Sequence, residues 1–118
     1  MTMNVTAMLE RLDAYDAWRW ALDLFEHKDY YAAADVLRHL VDTHPHDAEL
    51  GEARELLARS YYHSAQLGRA VEAARDALEH DPTNAYAALL LARALERSSR
   101  LAEADGARRM ATALGAAA

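Results

Sequence analysis

The chain has 118 residues, nineteen acidic and thirteen basic, for a formal charge of −6, and no cysteine. That is the length of one ordinary domain, able to bury roughly two thirds of the surface its unfolded chain would expose. Without cysteine there is no disulfide framework and no cysteine metal site. The acidic balance also removes the broad positive field that nonspecific nucleic-acid or anionic-lipid binding draws on.

No apolar run approaches the ~20 residues that span a bilayer, and Met1 to Glu10 has neither the basic start nor the apolar centre of a signal peptide. A cytoplasmic protein with no nucleic-acid or membrane partner is expected. Lys28 is the sole lysine beside twelve arginines, and alanine is abundant, a bias that suggests a GC-rich bacterial genome.

In chain order, Met8, Leu9, Leu12 and Tyr15 recur at helical spacing, so a helical extension is expected over 1–13, with the first helix starting near Thr6. That helix ends near Glu26 and carries Trp20, Ala21, Leu24 and Phe25 on one stripe. A second follows from about Tyr30 to Thr43, with Ala33, Leu37 and Leu40 on its stripe. Pro45 marks a turn. Two further helices are expected at about Ala48–Ala65 and Leu67–His80, the first striped by Leu57, Ala58 and Tyr61. Asp81-Pro82-Thr83-Asn84 then supplies a helix stop and capping side chains for the next start. The last pair is expected at about Asn84–Arg97 and Leu101–Leu114. Ala, Leu, Arg and Glu fill these stretches, all good helix formers.

The pattern repeats. Shifted by 37 residues, Trp20 falls on Leu57, Ala21 on Ala58, Leu24 on Tyr61, Tyr30 on Leu67, Ala33 on Ala70 and Pro45 on Pro82. Shifted again by 34, Leu57 falls on Leu91, Ala58 on Ala92, Tyr61 on Leu95, Leu67 on Leu101, Ala70 on Ala104 and Ala77 on Ala111. The three extra residues of the first interval fall near Ala48, Glu49 and Leu50, where they extend the third helix by most of a turn. One helical hairpin cannot hide its apolar stripe alone, so such units stack, and about three are needed for stability.

These residues resemble the tetratricopeptide repeat. Leu57-Ala58, Tyr61, Ala70, Ala77 and Asp81-Pro82 carry the resemblance in the second unit; Trp20-Ala21, Leu24, Asp29-Tyr30, Ala33 and Pro45 carry it in the first. The third unit, with Leu91-Ala92, Leu95, Leu101, Ala104 and Ala111, lacks the terminal proline. The resemblance implies an all-α fold: a right-handed superhelical solenoid of three helical hairpins with a short N-terminal extension, the repeats covering about 14–47, 51–84 and 85–114. It also implies that the first helix of each hairpin lines a concave groove for a protein or peptide partner. The groove residues would be Tyr15, Trp18, Arg19, Leu22 and Phe25 in the first unit, Leu56, Arg59 and Tyr62 in the second, and Tyr86, Leu89, Arg93 and Arg97 in the third. Glu26, Glu52, Glu55, His63, Leu90 and Glu96 share those faces. The family's chaperone-tail clamp uses lysines and asparagines on these helices, and none stands here.

Two readings of the groove compete. Trp, Tyr and Arg are common interface anchors, which favours a site for an amphipathic or extended apolar segment. Alternatively, Trp18 and Phe25 pack against the extension or a neighbouring helix. Arg59 and Arg93 could clamp a partner carboxylate; local pairs Glu55–Arg59 and Arg93–Glu96, at favourable helical spacings, are the preferred alternative. A second function is also open. The last helix carries Leu101, Ala104, Ala107, Met110, Ala111 and Leu114, and no further capping helix follows, so Ala107, Met110 and Leu114 form a possible homodimer surface.

Other chemistry finds little support. Asp42, His44, His46 and Asp47 surround Pro45 and could bind zinc, but they sit where a solvated turn is expected, so neither metal nor cofactor is. There is no phosphate loop and no nucleophile elbow. Ser60, Ser64, Ser98 and Ser99 have no convergent base, and Glu52 and Glu55 are exposed by pattern, so no raised carboxyl pKa is expected. The chain is not expected to be an enzyme.

Overall fold

The computed structural model describes residues 13–44 and 50–116. Within them lie six helices and no strand: α1 (Ala14–Glu26), α2 (Tyr30–Thr43), α3 (Gly51–His63), α4 (Leu67–His80), α5 (Ala85–Arg97) and α6 (Leu101–Ala113). Each boundary has a local cause. Asp13, Asp29 and Asn84 precede α1, α2 and α5, and each side chain accepts a hydrogen bond from the backbone N–H three residues on, at 2.8, 3.3 and 3.0 Å. They satisfy amides that the helix itself leaves unpaired. Asp81 Oδ1 braces the turn before α5 by accepting from the backbone N–H (3.1 Å) and hydroxyl (2.7 Å) of Thr83.

The hairpin turns are copies of one another. Lys28, Ala65 and Ser99 each take a left-handed backbone, with φ of 62°, 60° and 60°. The residue after each closes back on the helix: Asp29 N–H donates to Leu24, Gln66 to Tyr61 and Arg100 to Leu95, all at 2.9 Å. Together with the shorter bonds from Lys28, Ala65 and Ser99 to Phe25, Tyr62 and Glu96, these are Schellman closures. The reversal is tight enough to lay the two helices of each hairpin side by side.

Packing runs in sequence order, each helix against the next, and α3 also touches α5. The core is built largely of alanine. Ala21, Ala58 and Ala92 on the first helices, and Ala33, Ala70 and Ala104 on the second, are all at most 1% exposed, so backbones approach closely at each crossing. Leu37, Leu57 and Leu95 fill the spaces between.

Three expectations need correction or lie out of reach. The described part of the third helix runs from Gly51, with Leu50 buried before it; Ala48 and Glu49, where its start is expected, fall outside the described residues. The expected start near Thr6, Pro45, His46 and Asp47 fall outside the described residues. Among the described residues no helix is long and apolar enough to cross a membrane.

Candidate functional site

The first helices α1, α3 and α5 share one side of the stack, and their outward faces are joined by rings and guanidiniums. The Arg59 guanidinium of α3 lies 4.8 Å from the ring centre of Phe25 on α1 and 5.5 Å from that of Tyr86 on α5. One side chain thus bridges all three repeats. Arg97 of α5 lies over Tyr62 of α3 at 4.9 Å, and Arg19 over Tyr15 within α1 at 5.9 Å. Each cation sits against the negative face of a ring.

A second cluster adjoins the first. His63, at the end of α3, stacks on Tyr30 with ring centres 4.9 Å apart and meets Phe25 and Tyr62 edge-on at 5.9 and 5.6 Å. Burial lowers its pKa, and the charges of Arg59 and Arg97 lower it further. Both arginines therefore project positive potential to the same spot.

Against α1 alone, Tyr15, Trp18, Arg19, Leu22, Asp23 and Glu26 line an open hollow of about 330 Å³. Tyr15 and Tyr86 are exposed, and Trp18, Leu22, Phe25, Tyr62 and Leu89 are half-buried. Leu56 and Leu90 differ: at 5% and 3% exposure they lie beneath the surface, in the core.

The charge pattern departs from expectation. Neither preferred local pair forms: Glu96 is held by Arg108 of α6, and Arg59 is held by rings rather than by Glu55. Glu55 is half-buried, not exposed, and burial raises its carboxyl pKa; the Arg59 charge opposes the rise, while Glu52 and Asp81 add to it. Helical spacing alone does not record this: Asp81, one of the charges acting on Glu55, lies beyond its own helix.

Eleven arginines lie among the described residues, and six of them form ion pairs with carboxylates: Arg38, Arg54, Arg75, Arg100, Arg108 and Arg109. Of the other five, Arg69 bonds Gln66. The remaining four, Arg19, Arg59, Arg93 and Arg97, all stand on the face of the first helices. The spacing of the repeat marks these four positions, but not that none of them pairs with an acid. Tyr30 marks the repeat in the sequence but is absent from the expected groove. It opens α2 and enters the cluster only because the hairpin turn folds it back toward the end of α1, 5.1 Å from Phe25 between ring centres.

Elsewhere the polar groups are occupied locally. The hydroxyls of Ser60, Ser64 and Ser98 donate to carbonyls of their own helices at 2.8 Å. Tyr61 is buried, and its hydroxyl accepts from Arg38 Nε at 3.2 Å. Among the described residues no group of three or more His, Asp or Glu is placed to hold a metal ion. On α6, Ala107 is buried against α5, Leu114 is half-buried, and Met110 and Leu101 stand 43% and 67% exposed.

No protein-family model and no curated protein sequence matches the chain. Solved structures do resemble it. A point mutant of MamA superposes with a TM-score of 0.83 at 20% identity, over 95% of this chain and 84% of that one. A chain of the CopN-Scc3 complex gives 0.79 at 20% identity, over 86% and 58%. The type III secretion translocator chaperone SycD of Yersinia enterocolitica gives 0.76 at 18% identity, over 86% and 74%. The chain spans less than two thirds of several matched chains, 58% in the CopN-Scc3 complex and 54% of a MamA fragment from Desulfovibrio magneticus RS-1. These are tetratricopeptide-like helical repeat proteins, and the fold of this chain is a tetratricopeptide-like helical solenoid.

Proposed function

We propose that this chain is a protein-interaction module whose first-helix face receives a segment of a partner protein. The observation that carries the reading is the set of ring–arginine contacts, Tyr15–Arg19, Phe25–Arg59–Tyr86 and Tyr62–Arg97, distributed over all three hairpins. Large half-exposed rings provide apolar contact at low entropic cost, and arginine is among the residues most often found at interface hot spots. Among the similar structures, one is a complex and another a translocator chaperone, which is in keeping with a partner-holding role. Repeats at about 14–47, 51–84 and 85–114 then each contribute one helix to the groove. The reading needs neither catalysis nor a cofactor.

The test is a crosslinking pull-down that compares the natural chain with a Trp18→Ala, Tyr62→Ala double variant shown by circular dichroism to be folded. Loss of the captured partners is expected. A folded double variant that retains the same partners removes the groove as the site.

A second reading rests on α6, where Leu101 and Met110 are exposed large apolar residues. Self-association through this helix, with Leu114 at its end, predicts a dimer in sedimentation at micromolar concentration. A strict monomer removes it.

A further inference from the structure

Among the described residues, the four arginines of the first-helix face form no ion pair with a carboxylate, and from this we infer the chemistry of the partner. We propose that the groove recognises a segment carrying an Asp or Glu side chain flanked by apolar residues, with the carboxylate held by Arg59 and Arg97. The inference rests on the groove reading above and makes it specific.

Availability comes first. The chain holds nineteen acidic residues against thirteen basic ones, so an arginine placed at random on its surface readily finds an acid. Arg38, Arg54, Arg75, Arg100, Arg108 and Arg109 do find one. Arg19, Arg59, Arg93 and Arg97 do not, and they share one face. Of the acids on that face, Asp23 pairs with His27 and Glu96 with Arg108, while Glu55 feels the Arg59 charge without forming an ion pair with it.

Geometry comes second. A guanidinium bound by its flat face to a ring keeps its in-plane N–H groups, which point outward in the fork that matches a carboxylate. The guanidinium carbon of Arg59 lies over the rings of Phe25 and Tyr86, and that of Arg97 over Tyr62. Apart from one long bond of 3.5 Å from Arg97 Nη1 to the Tyr62 carbonyl, neither guanidinium donates to a protein acceptor; the Arg59 Nε–H is buried, which leaves its Nη groups to meet a partner. The rings that fix the cations also supply the apolar walls, so one acidic side chain with greasy neighbours satisfies both.

Field comes third. Arg59 and Arg97 both act on His63, which touches the Phe25 and Tyr62 rings that the two arginines lie over. Their potentials add at one place, which suits a single negative group better than a chain of separated charges.

The experiment is selection from a random peptide library, displayed as a loop within a carrier so that no peptide has a free carboxyl end, on the immobilised full chain. Enrichment of Asp or Glu beside Leu, Ile, Met or Phe is expected. A selected peptide, synthesised with an amidated end, should lose about tenfold or more in affinity when its acid is changed to Gln, or against Arg59→Gln or Arg97→Gln. Its affinity should also fall from about 50 to about 500 mM NaCl. Folding of both variants is checked by melting; if one fails to fold, the other and the peptide change decide. Apolar peptides with no acid preference, or basic ones, overturn the inference and leave the groove reading standing. No enrichment above the bare carrier overturns both.

Discussion

Lys28, Ala65 and Ser99 hold a backbone conformation that costs an L-residue roughly 1–2 kcal/mol and that glycine adopts freely. Ala65 is exposed, and its φ is 60°, so Ala65→Gly relieves strain without opening a cavity. Part of the gain is offset by the greater freedom of glycine in the unfolded chain, about 0.4–1 kcal/mol. A net stabilisation of about 0.5–1 kcal/mol is expected, read as a higher urea midpoint. His63 gives a second prediction. Its folded-state pKa lies below the ordinary imidazole value, through burial and the charges of Arg59 and Arg97. The unfolded chain therefore takes up the proton first as pH falls. The stability tied to the neutral ring is fully present above the ordinary value and is lost as pH drops through the folded one. His63→Gln should shrink the difference in urea midpoint between about pH 7.5 and about pH 5.5; an unchanged difference refutes the link. These single positions also mark how far the sequence can be read. Asn84 announces its cap, because few residues serve there. The left-handed turns stay hidden, because Lys, Ala and Ser stand where glycine would have been the signal, while Gly68 and Gly106 lie inside helices.

At the scale of the helix pair, alanine sets the spacing. Ala58 has no exposed surface and faces the crossing of α3 with its neighbours. A leucine there has no space to enter, and overpacking of this kind costs about 1–3 kcal/mol. Ala58→Leu should lower the melting midpoint, whereas the same change at exposed Ala102 should leave it within about half a kcal/mol. Equal effects at the two sites would contradict the close crossing. The small residues that define each pair were legible at intervals of 37 and 34 because the repeat returns them to the same depth each time. The environments of Leu56 and Glu96 were not. Their surroundings are set by neighbouring helices, and helical periodicity within one segment carries no record of what lies across the gap. The same holds for Arg59: its place on the face follows from spacing, but its ring partners come from α1 and α5.

The whole molecule is a stack in which each helix relies on its sequence neighbours. Stability in such an array is close to a sum of local terms, so its ends open more readily than its middle. Among the described helices α6 packs mainly on α5, whereas α3 and α4 are covered on both sides. Amide hydrogen exchange should therefore be faster in α6 than in α3 and α4; matched rates would indicate a single closed core instead. A partner crossing the face of the first helices would touch every unit at once, and its occupancy should slow exchange along the length of the stack.

The hollow against α1 has Trp18 in its wall, half-buried beside exposed Tyr15, and the only other tryptophan, Trp20, is not among the residues that line it; both also pack on the hydrophobic core. The protein thus carries its own optical gauge. With Trp20→Phe in place, Trp18 becomes a solitary emitter, and an occupant that strips water from its indole must move the emission to shorter wavelength, with no label attached to either molecule.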